Sequence, residues 1–124
     1  NRQWSKEEVD RILAKDVVRF ERGVAKLLPI NLSQCEFDAM VSWSFNAGLG
    51  ALQRSSVRQA LLRGDKVAAM LVFLDYCKAG RQVVRGLETR RKDEAALFFS
   101  ETEVPTAVAK KIAAPSRAPA KKKR

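Results

Sequence analysis

Apolar positions recur every three or four residues through most of this chain, and the recurrence breaks at a few prolines and glycines. Val9, Ile12, Leu13, Val17, Phe20, Val24 and Leu27 share one face of a long amphipathic helix that must end before Pro29. Its start is marked by Ser5-Lys6-Glu7-Glu8, a capping box with Ser5 as N-cap and Glu8 reaching back to the Ser5 amide. Trp4 and Val9 sit where a hydrophobic staple would. The device repeats at Ser33-Gln34-Cys35-Glu36, with Leu32 and Phe37 as the staple. Phe37, Met40, Val41 and Phe45 then form the apolar stripe of a second helix that Gly48 ends.

A shorter helix is expected from about Ser55 through Leu61 and Leu62 to Gly64. Asp65 can cap a fourth, apolar over Val67 to Leu74 and nearly buried all round, which Lys78-Ala79-Gly80 stops. After a loop from Arg81 to Arg85, "GLETRRKDEAALFF" reads as a fifth helix with Leu87, Arg91, Ala95 and Phe98 on one side. No stretch alternates with period two for long enough to be a strand. The expected fold class is therefore all-α: a lobe of about five helices over residues 1–104, followed by a disordered basic tail over 105–124.

The tail expectation comes from composition. Pro105, Pro115 and Pro119 interrupt an Ala/Lys mixture without aromatics, although "AVAKKIAA" has the makings of a turn or two of surface helix. The net charge of +10 is concentrated there: seven bases and no acid follow Pro105, leaving 17 bases against 14 acids in the body. The overall basicity thus argues for a charged appendage and not for a nucleic-acid-binding fold. No apolar run approaches the roughly 20 residues a membrane span needs. Asn1-Arg2-Gln3-Trp4 lacks the apolar core of a signal peptide.

Candidate chemistry is narrowed by what the chain lacks. With two cysteines and no histidine, neither a structural zinc site nor a Ser-His or Cys-His catalytic pair is expected, and no cofactor is implied. Cys35 and Cys77 are expected as two free buried thiols in preference to a disulfide. Gly48-Leu49-Gly50 follows a helix and not a strand, so it lacks the context of a phosphate loop and reads as a tight helix-to-helix turn. Arg91 faces inward on the fifth helix, where it needs a buried partner or a helix C-terminus. A paired-carboxylate reading of Glu7 and Asp16 fails, because nine residues at about 100° each turn them to opposite sides of one helix.

Taken in order, Ala39 to Gly48, Ser55-Ser56, Gly64-Asp65, Lys78-Ala79-Gly80 and Gly86 to Glu94 resemble the phage-type lysozymes, the endolysins of glycoside hydrolase family 24, most closely their lambdoid-phage branch. The resemblance covers roughly residues 4 to 99 and implies the helical lobe of a lysozyme-like domain. It further implies an enzyme that hydrolyses the β-1,4 bond between N-acetylmuramic acid and N-acetylglucosamine in peptidoglycan, made in the bacterial cytoplasm and acting in the periplasm during host lysis.

In that family the catalytic Glu, Asp and Thr, with a Gly-x-Gly-His motif, belong to a small lobe preceding the helix that here begins at Ser5. No catalytic residue is therefore expected in these 124 residues, which by themselves should not cleave glycan. Substrate contacts carried over by the resemblance are Phe45 and Asn46 at the end of the second helix, Ser55 and position 70, a polar contact in some members but Met70 here. The plainer readings are a core aromatic for Phe45 and an N-cap for Ser55. The expected partners are glycan strands, with the tail meeting anionic envelope polymers or nucleic acid, and the chain acting as a monomer. The alternative is a non-catalytic module that binds glycan, protein or nucleic acid largely through the tail.

Overall fold

The computed structural model describes residues 6–118, with side chains from Lys15 onward. The capping box at Ser5, the Trp4–Val9 staple, Glu7 and the basic cluster Lys121 to Arg124 lie outside the described residues or side chains. Among the described residues seven helices and one small hairpin follow in order: α1 (Lys6–Leu27), α2 (Gln34–Ala47), α3 (Leu49–Gln53), α4 (Ser56–Leu62), α5 (Lys66–Phe73), β1 (Lys78–Ala79), β2 (Gln82–Val83), α6 (Arg85–Phe98) and α7 (Thr106–Ala113).

Local chemistry sets the boundaries. Ser33 caps α2 with a complete capping box: its hydroxyl accepts from the Glu36 amide at 3.2 Å, and its own amide donates to the Glu36 carboxylate at 2.9 Å. Gly48 ends α2 at a φ of +99°, where an L side chain is strained, and its amide closes on the Ser44 carbonyl at 2.7 Å. Ser55 and Asp65 cap α4 and α5, accepting from the amides of Arg58 and Ala68, both at 3.0 Å.

The core forms where α2, α4, α5 and α6 meet, around Met40, Trp43, Leu52, Val57, Leu61, Met70, Phe73 and Phe98, all at most 2% exposed. Trp43 is its centre. Its ring packs edge-on against Phe73 at 5.4 Å and tilted against Tyr76 at 5.0 Å, arrangements that suit the aromatic quadrupole. α1 joins this core through Val24, and Leu28 just beyond its end, whereas Val17 and Val18 stay about two-fifths exposed.

Three expectations need correction. The segment expected to be a disordered tail from residue 105 forms α7 and continues packed to Arg117. Val104, Val108 and Ile112 fall four residues apart, so they make one apolar stripe that buries against the core, with Val108 fully enclosed. Two short elements were also missed: α3, a five-residue turn, and the β1–β2 hairpin, whose strands pair antiparallel for two residues each around Gly80. Neither is long enough to show a period. Cys77 is a buried free thiol as expected, but Cys35 is also free and only half-buried.

Candidate functional site

The last turn of α2 forms a ridge with a cleft on either side. On one side a cleft of about 520 Å³ is lined by Trp43, Asn46, Asp75, Tyr76, Lys78, Leu87 and Arg91. On the other a cleft of about 350 Å³ is lined by Val17, Glu21, Asp38, Val41, Ser42, Phe45 and Arg90. Successive residues of α2 point about 100° apart, so Phe45 and Asn46 serve different clefts.

Beneath the ridge lies a buried ionic network joining α2 to α6. Arg91 is 2% exposed, and its Nε lies 2.8 Å from Glu94 Oε1, an ion pair held by charge without an aligned N–H···O bond. Its Nη2 donates to Asn46 Oδ1 at 3.0 Å, its Nη1 reaches the Tyr76 carbonyl at 3.5 Å, and the guanidinium sits 5.7 Å from the Phe73 ring centroid. Glu94, also buried, accepts from the Ser42 hydroxyl and lies 3.5 Å from Arg90 Nε. Burial pushes the Arg91 guanidinium below its ordinary range, and the Glu94 carboxylate opposes that shift. The inward Arg91 thus has the buried partner its position requires. The Arg91 bond orients the Asn46 amide on the wall of the larger cleft.

The residues singled out from the sequence divide into two groups. Phe45 is 41% exposed and packs on Phe20 at 5.1 Å, presenting part of its ring to the smaller cleft. Asn46 is exposed beside the larger one. Ser55 is 3% exposed, and its hydroxyl is spent twice, accepting from the Arg58 amide and donating to the Leu52 carbonyl at 2.9 Å. Met70 has no exposed surface. It belongs to the core because α5 is apolar on almost every side, so position 70 offers no contact to a ligand in this arrangement.

Several cleft residues had no signal in the sequence. Tyr76, Lys78 and Asp75 come together only through the turn after α5, and Glu21 and Asp38 only through the crossing of α1 over α2. Trp43 lines the larger cleft while its indole N–H is buried and meets no acceptor among the described residues, a donor that the protein itself does not use. Among the described residues no group of three His, Cys, Asp or Glu is arranged to hold a metal ion. Among them, too, no helix is long and apolar enough to cross a membrane.

Comparison with known proteins matches residues 1–94 to the family described as phage lysozyme. The endolysin of Bacillus phage B103 is 42% identical over 96 residues, covering 77% of this chain and 36% of that protein. The endolysin of Salmonella phage P22 is 34% identical over 94 residues, 76% of this chain and 64% of that protein. This chain spans about a third of the Bacillus phage relatives it matches. Among solved structures, the endolysin from Escherichia coli O157:H7 phage FAHEc1 superposes with a TM-score of 0.74 at 27% identity, covering 82% of this chain and 67% of that one. The muramidase domain of SpmX from Asticaccaulis excentricus superposes with a TM-score of 0.72 at 28% identity, covering 79% and 69%.

Proposed function

The chain belongs to the phage lysozyme family, and from that premise we propose that it is the substrate-binding helical lobe of a peptidoglycan-degrading endolysin of glycoside hydrolase family 24. The whole enzyme hydrolyses the β-1,4 bond between N-acetylmuramic acid and N-acetylglucosamine, a reaction that glycosidases carry out with a pair of carboxyl groups flanking the bond. It is made in the host cytoplasm and acts, as a monomer, on the wall beyond it.

The observation that carries this reading is the α2 ridge, which sets an exposed aromatic face and a fixed amide beside two clefts. A pyranose ring offers its C–H face to an aromatic side chain such as Phe45, and its N-acetyl and peptide-stem amides need hydrogen-bonding partners such as Asn46. Arg91 and Glu94 position these groups and do not themselves act on the bond. No residue of this chain is assigned the part of catalytic acid or nucleophile. The basic cluster Lys121 to Arg124 adds a salt-sensitive attraction to anionic envelope polymers.

The test is binding of a purified muropeptide, followed residue by residue by NMR. Saturable shifts centred on Phe45, Asn46 and Tyr76, retained when residues 119–124 are removed, are expected. Absence of binding at physiological salt, or shifts confined to the basic residues, would overturn the proposal.

A further inference from the structure

We propose that Arg117 is a positioning residue for the larger cleft, and that residues 105–118 form a strap that fixes the cleft wall from behind. The wall is one stretch of chain, from the turn after α5 through the hairpin to the first turn of α6. Its alternate residues face opposite ways. Tyr76, Lys78 and Leu87 line the cleft, whereas Cys77 and Glu88 face the strap; Asp75, at the edge, borders both.

Arg117 touches all three strap-side positions. Its Nη1 lies 3.1 Å from Asp75 Oδ1, its Nη2 lies 3.4 Å from Cys77 Sγ, and its backbone amide donates to Glu88 Oε2 at 2.8 Å. One residue therefore clasps both ends of the segment that carries Tyr76 and Lys78.

The strap is anchored independently of that clasp. Val108 is fully buried, Lys111 Nζ donates to the Leu71 carbonyl at 2.6 Å and pairs with Asp75 at 3.0 Å, and Lys92 Nζ holds the Ala114 carbonyl at 2.8 Å. Ser116 donates its hydroxyl to the buried Glu88. None of residues 105–118 lines the larger cleft. The strap supports the wall without obstructing it.

These residues lie beyond the stretch that matches the lysozyme family. Elsewhere the wall is held by the Tyr76–Trp43 ring contact, the Arg91 bond to the Tyr76 carbonyl and the Lys111–Asp75 pair, but the hairpin within it is thinly secured. The hairpin pairs only two residues per strand, and the amide of Val84 adds one bond to the Cys77 carbonyl. Such a segment samples open forms cheaply unless something outside it removes them.

The consequence for glycan binding rests on the reading of the cleft given above; the support of the wall does not. The experiment compares the whole chain with Arg117→Ala, Arg117→Lys and, as a control remote from the strap, Arg63→Ala. Hydrogen exchange and the affinity for a defined muropeptide are both measured. Arg117→Ala is expected to accelerate exchange of amides 76–84 roughly three- to tenfold while leaving α2 and α4 unchanged. It is also expected to weaken muropeptide binding by a similar factor, because only the ordered fraction of the wall binds. Arg117→Lys restores charge without the guanidinium fork and should fall between the two.

Unchanged exchange over 76–84 in Arg117→Ala overturns the proposal, as does acceleration spread evenly over the whole molecule. Accelerated exchange with no muropeptide bound by any of the proteins supports the strap and removes the glycan reading.

Discussion

Glu94→Ala should be among the most damaging substitutions in this lobe, although it removes neither a core aromatic nor a turn glycine. The change deletes the only carboxylate paired with Arg91 among the described residues, and Arg91 is 2% exposed. Breaking a buried pair by removing one partner costs about 3–5 kcal/mol, because the remaining charge is left uncompensated. Here the lower end is expected, since Asn46 and the Tyr76 carbonyl still accept from the guanidinium.

For a chain of this length a loss of about 3 kcal/mol lowers the melting midpoint by roughly 10 °C. The diagnostic comparison is a double substitution, Arg91→Met with Glu94→Leu, which removes both charges and keeps apolar volume. It should be less destabilised than Glu94→Ala alone, despite changing more atoms. Urea unfolding followed by circular dichroism gives both numbers. A cost below about 1 kcal/mol for Glu94→Ala, or a double variant that is worse than the single, would refute the reasoning and show that water reaches Arg91.

Gly48→Ala should cost roughly 1–3 kcal/mol through backbone strain alone, since φ is +99° with ψ at 149° and an added Cβ would meet nothing within 4 Å; thermal unfolding checks it, and a neutral result would mean that the turn relaxes. Ser55→Ala should lose about 1 kcal/mol of stability with the α4 cap and leave muropeptide affinity unchanged, whereas Phe45→Ala should weaken that affinity at a smaller cost in stability. Titration calorimetry alongside melting separates the two. The Glu88 carboxyl is held below its ordinary value of 4.5 by the Ser116 hydroxyl first and the Arg117 amide second, with burial opposing them. A depressed folded-state value means that this contribution is present above about pH 4.5 and is lost as pH falls through the lower folded value. The protection factors of amides 76–84, which correct for the fall of intrinsic exchange with pH, should therefore drop on acidification below about pH 4.5, and Glu88→Gln should flatten that drop.

What was legible in the sequence was local. Ser33 with Glu36, Ser55 and Asp65 announced three helix starts because each cap closes within three residues, and Gly48 announced an end because only glycine is comfortable there. Arg91 could be placed facing inward from helical spacing. Its partner Asn46, and the Ser42 that donates to its neighbour Glu94, could not be assigned, since the bonds that use them span 45 and 52 residues. α7 was misread for a different reason. Alanine and lysine dominate its composition and prolines flank it, yet three apolar residues four apart outweigh them once α5 supplies a surface. Met70 shows the limit of carrying a contact over by position: the register was readable, but the burial of an almost wholly apolar helix decides what that position can touch.

The strap brings Ala118 back beside Glu88, behind the wall of the larger cleft. Lys121 is three residues on, and three residues of chain span at most about 11 Å. A polymer that binds the lysines beyond Ala118 would be brought within reach of the cleft wall. Its next segment would then meet the cleft as an intramolecular event, at an effective concentration set by the tether and not by the solution.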